Sequence, residues 1–239
     1  MGKLEEVGFR KGSSEVPRRL IMCIWGVDKS AKTHFSLTAA RLGGTTCFIN
    51  LNKGAEGVIE KFVREGHDIR VLDIESGSQL VGLNPGSNDV VYKAAWGKYV
   101  EAYKAALSIA NTIIVDTESE AWELCRAASF GKLLQVPQHL YPPVNLLYQG
   151  LINLAYDRCV NLILVDSVKA EYSAEGNKTG KFDRAGFSKI PGLVQCMVRT
   201  EVNGGFNFVI ERCRQSTDLT GLEMIDLDFP TLLEWVHGA

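Results

Sequence analysis

The chain has 239 residues, 46% of them hydrophobic and 23% charged, enough for one large α/β domain with a filled core. Its net charge of −2 excludes nucleic-acid binding through a bulk electrostatic field and leaves only a local basic patch for that purpose. Six scattered cysteines without paired C-x-x-C spacing argue against a zinc site and for a reducing compartment, and the lack of a signal core or of about 18 consecutive apolar residues argues against export or membrane insertion. The expectation is a soluble, cytoplasmic protein. A polar leader, residues 1–17, precedes one domain over residues 18–239. The β-rich run Leu20 to Trp25 leads through a loop to a helix over about Lys32 to Leu42, where Phe35, Ala39 and Leu42 share a face. Strands follow at Thr46 to Leu51 and Ile69 to Ile74. A segment rich in Gly, Ser and Asn, residues 77–92, reads as a loop and opens into a helix near Tyr92 to Ile109. Next come an apolar strand ending on Asp116, a helix with Ala121, Leu124, Cys125 and Ala128 on one side, a helix near Val144 to Tyr156, and the strand Asn161 to Val165. Alternating strands and helices predict an α/β fold with a mainly parallel sheet covered on both faces. Two β-rich runs joined by Asn203-Gly204-Gly205 add an antiparallel C-terminal hairpin.

The stretch "IMCIWGVDKSAKTHF" runs from strand to helix through Gly26, four spacers, Ala31, Lys32 and Thr33. It fits the phosphate-loop pattern G-x-x-x-x-G-K-[ST] everywhere except at its last glycine, where Ala31 stands. In that pattern, backbone N–H groups wrap phosphate oxygens, the lysine reaches the β and γ phosphates and the hydroxyl ligates Mg²⁺. The methyl group of Ala31 is tolerable if the backbone there keeps an ordinary right-handed conformation. The loop and helix start, Gly26, Val27, Asp28, Lys29, Ser30, Ala31, Lys32, Thr33 and His34, are therefore the candidate phosphate cradle. Thr33 and Asp116, the latter at the end of "TIIVD", are the candidate magnesium ligands.

Five blocks, "IWGVDKSAKTHFSLTAA", "CFINLNKGAEGVIEKF", "TIIVDTESEAWELCRAA", "LILVDSVKAEY" and "FVIERCR", together resemble the RecA-like P-loop ATPases encoded by bacteriophages, including phage single-strand annealing and recombination proteins. The resemblance spans about residues 18–236. It implies a RecA-like P-loop NTPase core, ATP and Mg²⁺ as ligands, assembly into homo-oligomeric rings or filaments, phage recombination partners in the host cytoplasm, and action on single-stranded DNA. Relatives usually carry acidic residues near the end of the second strand, whereas this chain has Asn50-Leu51-Asn52. An amide holds water but is no base, so Glu56, Glu75 or Glu118 would have to orient the attacking water. Hydrolysis is then expected to be slow or absent. The resemblance also implies that Arg212 and Arg214 reach the γ-phosphate from the same or an adjacent subunit, and that a polar sensor lies near Asp166 and Ser167, with Lys169 just beyond.

Residues 169–189 carry five basic side chains against three acidic ones, interleaved with Tyr172, Phe182 and Phe187. A mobile loop of this kind can follow phosphates and stack on unpaired bases, which makes Lys178, Lys181 and Arg184 the candidate DNA contacts. Two other readings stand beside the DNA-dependent ATPase: a weakened P-loop domain that gates assembly, and a small-molecule kinase using the same loop.

Overall fold

The computed structural model describes residues 17–75, 89–131, 136–173 and 176–238. Its strands are β1 (Ile21–Gly26), β2 (Thr46–Asn50), β3 (Ile69–Asp73), β4 (Thr112–Asp116), β5 (Asn161–Asp166), β6 (Val168–Tyr172), β7 (Lys178–Arg184), β8 (Cys196–Val202), β9 (Phe206–Cys213) and β10 (Glu223–Ile225). Eight of them form one sheet in the order β10-β9-β8-β1-β5-β4-β2-β3, and β6 and β7 form a separate two-stranded hairpin. The six strands β3, β2, β4, β5, β1 and β8 run parallel, while β9 folds back on β8 and β10 on β9. The α/β class, the mainly parallel sheet and the antiparallel C-terminal hairpin all agree with the sequence pattern.

Period-two alternation splits the central strand between two cores. Ile21, Cys23 and Trp25 face one cluster, and Leu20, Met22 and Ile24 the other. The helices are α1 (Lys32–Leu37), continued by a 3₁₀ turn over Thr38–Leu42, then α2 (Val58–Arg64), α3 (Asp89–Ile109), α4 (Glu118–Phe130), α5 (Tyr141–Arg158), α6 (Ile190–Leu193) and α7 (Phe229–His237). On one face lie α3, α4 and α5, through Tyr103, Leu124, Ile152 and their neighbours. Phe35 of α1, Phe62 of α2 and Phe229 of α7 fill the other.

Several local expectations change. The first helix is not α-helical to Leu42, because the Thr38 hydroxyl donates back to the Phe35 carbonyl at 2.5 Å, accepts the Phe229 N–H at 2.8 Å, and the chain tightens into the 3₁₀ turn. The third helix begins at Asp89, inside the stretch read as loop, and residues 76–88 lie outside the described residues, as does nearly all of the polar leader. Helices α2 and α7 are absent from the sequence reading. The supposed mobile loop after β5 is the β6–β7 hairpin, with Lys169 opposite Asp183 and Ala170 opposite Phe182. Among the described residues, no helix is long and apolar enough to cross a membrane.

Candidate functional site

The parallel strands all end at one edge of the sheet, where Gly26, Asp166, Asp116, Asn50 and Asp73 terminate the neighbouring strands β1, β5, β4, β2 and β3. Ligands of open α/β sheets gather at such an edge, because the loops there leave a crevice that helices do not fill. At Gly26 the chain leaves β1 so close to β8 that a Cβ would overlap the Thr200 hydroxyl and carbonyl oxygens. Ser30 ties the turn down, its hydroxyl 2.5 Å from that of Thr200 and 2.7 Å from the Val27 carbonyl.

Ala31 departs from expectation. It stands at φ 65°, ψ 15°, in the left-handed region, as does Lys29 at φ 60°. The turn keeps the shape a glycine would give it and bears the strain of a methyl group. Ala31→Gly should therefore raise stability by about 1 kcal/mol, the relief of a left-handed non-glycine residue less the extra unfolded-state freedom of glycine. Paired thermal melts check this, and a lower melting temperature would contradict it.

Lys32 folds back across the loop, its ammonium donating to the Gly26 carbonyl at 2.8 Å and the Val27 carbonyl at 2.6 Å. Burial pulls its pKa down, while Asp28, Asp116 and Asp166 pull it up. Thr33, one residue on, donates its hydroxyl to Asp116 Oδ2 at 2.6 Å, joining the start of α1 to the end of β4. Burial raises the Asp116 pKa, opposed by hydrogen bonds from Thr33 and Asn52 and by the charge of Lys32. A hydroxyl and a carboxylate are hard oxygen donors suited to Mg²⁺, which commonly takes one or two protein oxygens and completes its octahedron with phosphates and water. Among the described residues, no cluster of three or more His, Cys, Asp and Glu could hold a metal alone. The donor set thus fits a cation that arrives with phosphate.

Beside the loop opens a cavity of about 670 Å³. Lys29, Lys32 and Thr33 line one end, and Phe206 and Phe208 of β9 with Asp226 and Asp228 after β10 line the other. This size falls within the range of small-molecule and cofactor pockets. His34 also faces it, with a pKa lowered by burial and by Lys61 and Arg41. The sequence reading missed the β9 and β10 contributors, since nothing local links residues 206–228 to residue 32.

The candidate water-orienting acids fare differently. Glu56 is exposed, in the turn between the cavity-lining Gly54 and Val58. Glu75 is exposed beyond β3, beside Lys53, Asp73 and Lys98. Glu118 does not face the loop at all. Fully buried as the first residue of α4, it accepts the Phe187 N–H at 3.2 Å and lies 3.6 Å from Arg184 Nη1. Asn50 donates to Asp73 Oδ1 at 2.6 Å and accepts the Lys53 N–H at 3.1 Å, so both ends of its amide are engaged. Asp73 was a missed candidate, although "IRVLD" has the same apolar-strand-then-acid form as "TIIVD".

The structure places the candidate arginines and corrects one of them. Arg212 pairs in register with Met197 and Arg214 donates to the Gln195 carbonyl, near the start of β8, whereas Gly26 pairs with Thr200 farther along that strand. With about 3.3 Å of rise per residue, the backbone of both lies roughly 10 Å or more along the sheet from the loop, although Arg212 shares a cavity with Trp25, the neighbour of Gly26. Arg184, expected to meet DNA, turns inward. It is 7% exposed, bonds Asp166 and the Phe187 carbonyl, and locks the hairpin base to the end of β5. Lys169 pairs with Asp183 at 3.6 Å. Lys178 and Lys181 are exposed as expected, with Tyr172 and Phe182 each 57% exposed beside them.

A row of hydroxyls links the hairpin root to Asp116 at the end of β4. Ser167, just before β6, lies 3.0 Å from Ser119, whose hydroxyl donates to Thr117 at 3.2 Å, and Thr117 follows Asp116. No family model matches the chain, and no curated protein matches it.

Proposed function

We propose that the protein is a RecA-like P-loop ATPase that binds Mg·ATP at the Gly26–Thr33 loop and acts on single-stranded DNA in phage recombination or repair. The observation that carries this reading is the 2.6 Å bond between Thr33 and Asp116 beneath a loop that keeps its left-handed turn without the usual glycine. In this reading Lys32 leaves its loop carbonyls to meet the β and γ phosphates, Lys29 adds a second cation, and Thr33 and Asp116 hold magnesium, directly and through water. The magnesium ion would neutralise phosphate charge. The loop would hold the triphosphate, and the cavity lined by α1 and β9 would take the base.

Exposed Tyr172 and Phe182 beside Lys178 and Lys181 support the DNA half of the proposal, because aromatic faces stack on any base and lysines follow the backbone. The hairpin rises from the same sheet edge as the loop. The row Asp116-Thr117-Ser119-Ser167 is a physical route by which a DNA-held hairpin would bias the magnesium site. ATP turnover should therefore rise when single-stranded DNA is added. Replacing Lys178 and Lys181 with alanine should weaken DNA binding and make the log–log salt dependence shallower by about 0.7 per lysine lost. Fluorescence anisotropy over a salt series measures both, and an unchanged slope would remove the hairpin from the DNA contact.

One observation favours a second reading, a nucleotide-gated assembly protein with little turnover. Asn50 has both amide ends engaged and Glu118 is buried in an ion pair, so of the three acids expected to orient water Glu56 is the one whose neighbours in the chain, Gly54 and Val58, line the cavity. Tight ATP binding without DNA-stimulated hydrolysis would select this reading.

A further inference from the structure

At the opposite end of the sheet from the loop, two cysteines face each other across adjacent antiparallel strands. Cys196 opens β8 and Cys213 closes β9, and the two are direct register partners. The Arg214 N–H donates to the Gln195 carbonyl at 2.8 Å, which marks the flanking pair as hydrogen-bonded and makes Cys196 and Cys213 a non-hydrogen-bonded pair. Cα atoms in such pairs stand about 4.5 Å apart, within the range a disulfide spans without backbone movement. A cavity of about 220 Å³, lined by Pro191, Val194, Arg212, Arg214 and Thr220, opens onto both.

The pair is asymmetric in a way that assigns roles. The neighbouring Cys196 thiol and, after it, the backbone N–H groups of Ser216 and Gln215 pull the Cys213 pKa down to about 6 against the opposing effect of burial. Cys196 is completely buried, and the neighbouring Cys213 sulfur together with burial drives its pKa up. Arg212 and Arg214, both exposed, line the same cavity, with Arg214 donating to the Gly192 carbonyl at 2.7 Å. Of the six cysteines, only these two are register partners in the described sheet.

We infer that Cys196 and Cys213 are a redox-active pair that closes to a reversible cross-strand disulfide when a hydroperoxide enters this cavity. The Cys213 thiolate attacks the terminal peroxide oxygen, the O–O bond breaks, the sulfur is oxidised to a sulfenic acid, and the departing alkoxide or hydroxide takes a proton from solvent. The Cys196 thiol then attacks the Cys213 sulfur, its proton leaving with the hydroxyl as water. In sum, two thiols and one hydroperoxide become one disulfide, one alcohol (water for hydrogen peroxide) and one water. The bond would tie together β8 and β9, whose far ends carry Thr200 against the loop and Phe208 against the nucleotide cavity.

The test exposes the native protein to hydrogen peroxide, denatures it in excess alkylating reagent, and compares intact mass and peptide maps with and without later reduction. Alkylated cysteines should fall from six to four, with Cys196 and Cys213 recovered as one cross-linked peptide and six restored by dithiothreitol. A Cys196→Ser variant should trap the Cys213 sulfenic acid with dimedone, whereas Cys213→Ser should leave Cys196 unoxidised. Six alkylations after peroxide, or cross-links involving other cysteines in preference to this pair, would overturn the inference on wild-type protein alone, whether or not the variants fold.

Discussion

Lys32→Ala should weaken Mg·ATP binding by roughly a hundredfold while leaving the protein folded. In the proposed site the ammonium exchanges two loop carbonyls for two phosphate oxygens. Charge-assisted hydrogen bonds contribute about 1.5 to 3 kcal/mol each, so losing this contact removes about 3 kcal/mol, which is roughly two orders of magnitude in Kd. Stability should change little. Burial disfavours the charged lysine, as the lowered pKa records, and its removal relieves that cost as it removes the two bonds. Titration with a fluorescent ATP analogue, paired with a thermal melt, separates the two effects. Unaltered affinity in a folded variant would remove the loop from nucleotide binding, whatever the fate of the cysteine pair.

The second large effect belongs to the buried group Asp166–Arg184–Glu118. Arg184→Met should lower the unfolding free energy by about 3 to 5 kcal/mol, because it strands buried acids without their counter-charge. Asp166 and Glu118 are wholly buried and lie together at Gly186, where any Cβ would strike a Glu118 oxygen. Burial raises both pKa values, with Arg184 opposing, and for Glu118 the neighbouring Asp166 raises it further. The pair therefore retains a proton above the ordinary carboxylate range. Because folding raises the Glu118 pKa, its stabilising contribution is complete below its ordinary value of 4.5 and is lost as pH climbs towards the folded value. Two outcomes follow for urea unfolding between pH 4 and pH 8. The penalty of Arg184→Met should grow with pH, since a second proton can neutralise the stranded acids only in acid. Glu118→Gln, which mimics the protonated acid, should match wild type near pH 4 and exceed it near pH 8. A strongly destabilised Glu118→Gln at pH 8 would mean that Glu118 is the charged partner of Arg184.

This buried group also explains why part of the site escaped a reading of the sequence. Arg184 sits among lysines and aromatics, and composition places it with them on a solvated loop. What composition does not carry is that β6 and β7 pair and return residue 184 to the end of β5, where Asp166 waits. Glu118 follows the same logic. Two residues past Asp116, it reads as a neighbour of the metal site, yet β-strand alternation and the start of α4 turn it to the other face of the sheet. The backbone of Arg212 and Arg214 stands away from the loop for a topological reason. An antiparallel strand ends where its parallel neighbour begins, so closing β9 delivers them to the edge opposite Gly26.

Local chemistry by itself determined the elements that depend on near neighbours: the apolar strand leading to Gly26, the loop with its lysine and threonine, the acid closing β4, and the Asn203-Gly204-Gly205 turn. Each is written in a few adjacent residues, because backbone sterics, hydrophobic periodicity and turn chemistry act over that range. Only the tertiary structure decided which side chains share a space. The Thr33–Asp116 bond joins residues 83 apart, the cavity joins α1 to β9, and Cys196 meets Cys213 through strand register. Burial and pairing depend on where distant segments pack, and that is set by the closing of one sheet between two apolar layers rather than by any short stretch of chain.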